Sequence, residues 1–194
     1  MLLGLWVALT AHAMRGAILI TLGALVKPYV APALASIWRP WDWKMPAAVI
    51  ALIALCYLPY LSAGWGVFGF LTKGYLTEEG IASGEDLWAL SVWRLVFGTH
   101  RGDVAAYAVV AASIVLFMML SAARRPDRTV ASSLADTNLQ LLVVLLLVSP
   151  NRPWHFLPTL PFVALCGNAP TWAVSIGALL LTNELYWEFH LPKP

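Results

Sequence analysis

From Val104 to Ala123 the chain runs for twenty residues without a charged side chain. About 20 apolar residues, at 1.5 Å each, are what a helix needs to cross a hydrocarbon core roughly 30 Å thick. The run stops at Arg124-Arg125-Pro126-Asp127-Arg128. Lys and Arg beside span ends set orientation, so three arginines in this short loop mark the cytoplasmic side. The span therefore descends from an outer face to an inner one, which sets the direction of every other segment. Only 11% of the 194 residues are charged and mean hydropathy is +0.75, whereas a soluble domain carries about 25% charged residues. An integral membrane protein is expected, as a single transmembrane domain over residues 1–194. The net charge of +2 gives no reason to expect nucleic acid as a partner.

Residues 2–11 are apolar, too short to span alone, and lack the basic region and cleavage site of a signal peptide. They read as the end of a transmembrane helix whose beginning is missing. Residues 16–38 form the first long apolar stretch, interrupted by Lys27-Pro28. Proline removes a backbone donor and breaks a helix. A lysine within the membrane costs on the order of 2.5–3.5 kcal/mol and is rarely kept without a use. Two arrangements are open: two half-helices of about eleven residues, each roughly 16 Å long, or one kinked span. Arg39-Pro-Trp-Asp-Trp-Lys44 is an inner turn. Met45 to Leu61 is the next span, leaving the membrane at Tyr57 and Tyr60.

Residues 62–103 lie outside. Ser83, with Asp86 three residues later, reads as a helix start, and the helix that follows is mostly apolar, lying in the interface or packed over the bundle. Val130 to Val148 rises again, carrying Asp136, Thr137, Asn138 and Gln140, which are expected to bond across helices. It delivers Ser149-Pro-Asn-Arg-Pro-Trp-His-Phe156 to the outer face. Leu157 to Gly167 returns inward, bent by Pro158 and Pro161, and Thr171 to Tyr186 is the last span. The expected fold is an all-α, polytopic helix bundle of about five to six spans, with one broken helix and one outer-face interfacial helix. Of ten tryptophans, Trp38, Trp41, Trp43, Trp65, Trp154 and Trp187 fall near span ends, the headgroup level that Trp prefers. Cys56 and Cys166 lie in apolar runs and read as small hydrophobes.

No Walker loop, GxGxxG, HExxH, paired CxxC or nucleophile elbow occurs. The four histidines are scattered, so no metal ligand set is assigned. The outer side gathers Tyr75, Glu78, Glu79, Arg94, His100, Arg101, Arg152, Trp154, His155, Glu184 and Glu188. Arginine binds phosphate bidentately, tryptophan offers a face on which a sugar stacks, and carboxylates act as bases or hold a divalent cation.

Three segments carry a resemblance. Gly23-Ala-Leu-Val-Lys-Pro-Tyr-Val-Ala-Pro32 resembles the "alvKpyPlllP" segment of bacterial GT-C glycosyltransferases that use polyprenol-phosphate sugars. Tyr57-Leu-Pro-Tyr-Leu-Ser-Ala-Gly64, followed by Tyr75 and Glu78-Glu79, is similar to their outer "yLPfl.aG … Y..eW.fN" segment. Leu145-Leu-Leu-Val-Ser-Pro150, followed by Pro153-Trp154 and Leu157 to Leu165, resembles their "llSP..hPWYl..llPllal" segment. Gly80 and Ser83 stand near where that family has Trp and Asn, and Arg152 and His155 flank a Pro-Trp pair that is usually flanked by His and Tyr. The resemblance covers nearly the whole chain but only the C-terminal half of a family member.

It implies an inverting transfer of a sugar, mannose for a mannosyltransferase-like protein, from a polyprenyl-phosphate donor to an acceptor at the outer face of the bacterial inner membrane. The family's catalytic aspartate lies in an N-terminal outer loop to which nothing here corresponds. No acid precedes Asp42, so no catalytic residue is assigned within this chain, and the missing half is a possible separate partner. Lys27 and Arg152 are expected on the donor phosphate, with Tyr29 orienting the lysine. Trp154 and His155 are expected at the sugar or lipid mouth, and Glu79 at the acceptor or a divalent cation. A non-catalytic scaffold or lipid-binding subunit, and then a transporter, are the other readings.

Overall fold

The computed structural model describes residues 1–69, 87–126, 129–148 and 153–181. Every regular element among them is helical. Helices α1 (Leu2–Thr10) and α2 (Ala13–Val26) form a hairpin through Ala11 and His12. Their backbones approach so closely that a methyl group on Gly16 would overlap the side chain of Ala8 and the carbonyl of Gly4. Small residues permit this packing where lipid supplies no hydrophobic drive between helices. The opening segment, expected as the remnant of a span, is thus a nine-residue helix folded back on its neighbour.

Lys27 closes α2 in an extended conformation (φ −137°, ψ 98°), as a residue preceding proline does. A 3₁₀ turn, Pro28–Val30, leads into the short helix α3 (Ala33–Ile37). The expected break is present, but its halves are unequal. The first is fourteen residues, about 21 Å long, and the second is only a few turns. Pro32 is the reason: it removes a second backbone donor four residues after Pro28, so α-helix resumes only at Ala33. The turn after α3 is tightly tied. The Trp38 indole N–H donates to the Asp42 carbonyl at 3.0 Å, and the Lys44 amide donates to Asp42 Oδ1 at 3.1 Å. Between them Trp41 adopts φ 81°, a left-handed conformation that costs a bulky residue about 1–3 kcal/mol.

Helix α4 (Lys44–Tyr57) continues as 3₁₀ helix over Leu58–Phe68, with a break at Gly64 where φ is 54°. Among the described residues, Lys44–Gly64 is the first of three helices long and apolar enough to cross a membrane. The others are α6 (Asp103–Ala123) and α7 (Val130–Val148). Before them α5 (Trp88–Phe97) lies across α6 and α7. It buries Leu90, with Leu87 just before it, and exposes Val92, Leu95, Val96 and Phe97. Leu87 is extended, so this helix starts at Trp88; Ser83 and Asp86, its expected start, lie outside the described residues. The chain then winds as 3₁₀ helix over Pro153–Thr159, followed by α8 (Leu160–Cys166) and α9 (Ala169–Leu181).

Helix α7 is the hub, touching α3, α5, α6, α8 and α9. Leu141 and Leu145 join Ile20, Ile37, Phe156 and Phe162 in the main apolar core. The polar residues of α7 turn inward with them. The Thr137 and Ser36 hydroxyls meet at 2.7 Å, joining α7 to α3. Asn138 Nδ2 donates to Thr171 Oγ1 at 2.6 Å, joining α7 to α9, and the Thr171 hydroxyl donates onward to Asn168 Oδ1. Asp136 of α7 pairs with Arg125, just after α6, at 2.9 Å. These are the cross-helix bonds that Thr137 and Asn138 lead one to expect. Gln140 is buried, and neither of its amide atoms has a hydrogen-bond partner among the described residues.

Candidate functional site

An apolar groove of about 520 Å³ runs between α6 and α7. Its α6 wall extends from Val104 to Met119, sixteen residues that span about 22 Å of helix. Its α7 wall is the last turns of that helix, Val144 to Val148. The groove thus opens at the ends of α6 and α7 remote from the arginine turn. Ala108, Ala111 and Ala112 recur at helical spacing on the α6 wall, and their small side chains leave the room that larger ones would fill. A second apolar groove of about 280 Å³, between α3, α4 and α6, shares Leu116 and Met119 with the first. Together they give a nearly continuous apolar surface towards the arginine-rich end.

The open end is built from two distant parts of the chain. Pro28, Tyr29 and Pro32 come from the broken helix, and His155 comes from the 3₁₀ segment after α7. His155 is only 4% exposed and Tyr29 is half-buried. Lys27 is exposed and does not line the groove. Its ammonium stands 6.0 Å from the centre of the Tyr29 ring, the outer limit of a cation–π contact. Of the residues expected to act together, the structure brings Tyr29 and His155 into the lining of one groove, with Lys27 outside it and near the Tyr29 ring. Glu79 and Arg152 lie outside the described residues, as does the side chain of Trp154.

Other groups expected on the outer side have structural partners. Arg94 Nε donates to Asp103 Oδ2 at 2.6 Å, tying α5 to the first residue of α6. Asp103 Oδ1 also accepts the Val104 amide at 2.7 Å, and a carboxylate suits the positive end of the helix dipole. His100 Nε2 lies 2.9 Å from the Phe97 carbonyl. Among the described residues no three His, Cys, Asp or Glu side chains gather into a metal site.

Tyr107 is the groove residue that sequence reading passed over. Its phenol donates to the Leu147 carbonyl at 2.6 Å, one of the last four carbonyls of α7 that lack an intrahelical donor. The Trp93 ring packs edge-on against it, centroids 6.1 Å apart. Tyr107 thereby clamps α5, α6 and α7 at the open end. A lone tyrosine in the first turns of a span whose neighbouring residues are Ala and Val was the available signal. Comparison with family models, curated proteins and solved structures finds no match for this chain.

Proposed function

We propose that this chain is the donor-binding part of a membrane glycosyltransferase that transfers a sugar, mannose by resemblance, from a polyprenyl phosphate to an acceptor at the outer face of a bacterial inner membrane. The observation that carries the reading is the long apolar groove lined by Tyr29 and His155, with the Lys27 ammonium 6.0 Å from the Tyr29 ring centre. A prenyl chain has the chemistry of the groove wall. A phosphate at the lip would meet the Lys27 ammonium, and Arg152 and Trp154 belong to the segment that carries His155. The bundle would make five to six crossings, with the shorter apolar helices completing what the three long ones begin.

In this reading the acceptor hydroxyl oxygen attacks the anomeric carbon. The bond from that carbon to the phosphate oxygen breaks, and the polyprenyl phosphate leaves with the electron pair. The acceptor's proton goes to a carboxylate base supplied from outside these residues, while Lys27 and Arg152 stabilise the charge developing on the phosphate. Glu79 would serve the acceptor or a divalent cation.

A second reading has its own support. Among the described residues the groove lining is aliphatic, methionine and proline apart from Tyr29, Tyr107 and His155, a surface that suits a lipid-binding subunit.

The decisive experiment uses membranes containing the complete protein and a photoactivatable polyprenyl-phosphate mannose. Cross-links are expected on the facing walls between Val104 and Met119 and between Val144 and Val148, and Ala111→Trp should abolish them. Cross-links spread evenly over α4 would overturn the donor site. Lys27→Ala should lower transfer roughly tenfold or more, the loss expected when a transition-state charge contact goes. Cross-linking without any transfer would leave the binding subunit as the function.

A further inference from the structure

At the end of the bundle opposite the groove's mouth, two turns converge. Arg39 and Pro40 follow α3, and Arg124, Arg125 and Pro126 follow α6; with Ala123 they enclose a cleft of about 420 Å³. Arg125 is fixed by its 2.9 Å ion pair with Asp136. Arg39 and Arg124 are exposed, and neither forms an ion pair among the described residues. The positive-inside preference accounts for arginines on this side of the membrane. It gives no reason for two turns more than eighty residues apart in sequence to meet around one cavity. Nor does it explain why the first turn is held by the Trp38 and Asp42 hydrogen bonds against the cost of a left-handed Trp41.

We propose that this cleft is a binding site for an anionic phosphate group, presented by a phospholipid headgroup of the leaflet it faces. A guanidinium pairs with phosphate through two parallel hydrogen bonds. Two such groups on opposite walls, with a third held by a carboxylate, suit a headgroup with net negative charge over a zwitterionic one. Basic pockets between helices on the cytoplasmic side are built for this chemistry. The exposed Trp41 and Trp43 indoles in the same turn suit the headgroup layer beside it. The site is separate from the donor groove and does not depend on the glycosyltransferase reading.

The test is lipid retention by the full chain, released from lipid discs and weighed intact by native mass spectrometry. Phosphatidylglycerol or cardiolipin should be retained in preference to phosphatidylcholine. The double variant Arg39→Gln/Arg124→Gln should lower that retention about thirtyfold, each arginine contributing roughly a factor of five. Arg15→Gln, an exposed cation outside the cleft, should change nothing. Because the glutamines also remove orienting charge, Arg39→Lys/Arg124→Lys is the companion variant. It keeps the charge and so the orientation, loses the forked geometry, and should retain an intermediate amount of lipid. Equal retention of zwitterionic and anionic lipid, or anionic retention unchanged in the glutamine variant, would overturn the site. Displacement of the lipid by inorganic phosphate at matched concentration would overturn the lipid as its source and leave free phosphate as the ligand.

Discussion

Two of the long helices differ in almost everything except their ability to cross a membrane. In the most apolar 18-residue window of Lys44–Gly64 no residue is buried by the rest of the chain, whereas in that of Val130–Val148 44% are. On α4 only Met45 is buried, and Ile50, Leu55, Leu58 and Leu61 face outward. On α7 the buried set includes Ser133, Thr137, Asn138 and Gln140 alongside Leu141, Leu142, Val144 and Leu145. In water the more apolar helix would go to the centre. In a bilayer, lipid tails solvate leucine as well as another helix does, so apolarity gives no reason to be central. Polar side chains and backbone groups must find partners inside the protein. The helix with the most hydrogen-bonding side chains therefore becomes the hub, and the purely apolar one stands at the rim.

That contrast can be broken most directly by truncating one leucine on each helix. Leu145→Ala, at 1% exposure, should cost about 2–5 kcal/mol. Leu55→Ala, at 64% exposure, should stay within about 0.5 kcal/mol. Detergent-titrated unfolding reads both, and equal losses would show α4 to be packed like α7. The polar half of the argument is sharpened by Asn138→Ala. It removes the bond to Thr171 and should cost roughly 1–2 kcal/mol, with a coupling to Thr171→Val of about 0.6–1.7 kcal/mol in a double-mutant cycle. No coupling would mean that α9 is not held by this bond. The smallest effect carries the opposite sign. Gln140→Leu replaces two unpartnered buried amide atoms by hydrocarbon of similar size and should raise stability by about 1 kcal/mol or less. A loss as large as that of Asn138→Ala would show that the Gln140 amide is bonded.

Much of this was legible in the chain and some was not, for reasons that differ by residue. The span ends at Ala123 and Val148 follow from unbroken apolar runs stopped by arginines or proline. The break at Lys27-Pro28 follows from proline's missing donor, yet its asymmetry depends on Pro32, which reads as just another proline until both fall in one short stretch. The inward bonds of Thr137 and Asn138 could be anticipated from their polarity, but not their partners. Ser36 and Thr171 are small polar residues on other helices, and nothing local distinguishes them. The open end of the groove shows the same division. His155 stands out in sequence. Tyr107 does not, because its role is to reach a carbonyl forty residues away. Arg94 was one of the polar residues gathered on the outer side, and only the structure shows its partner, Asp103, at 2.6 Å.

The sequence by itself determined the class of solvent, the helical class of the fold, and the place where one helix must break. Each of these follows from the hydropathy, charge or backbone chemistry of consecutive residues. Only the tertiary structure decided which helix is central, that the helix break and the segment after α7 share one groove, and that Arg39 meets Arg124 across a cleft. Those depend on which surfaces touch, and in a bilayer, where most helix faces are equally apolar, touching is decided by small residues and a few hydrogen bonds.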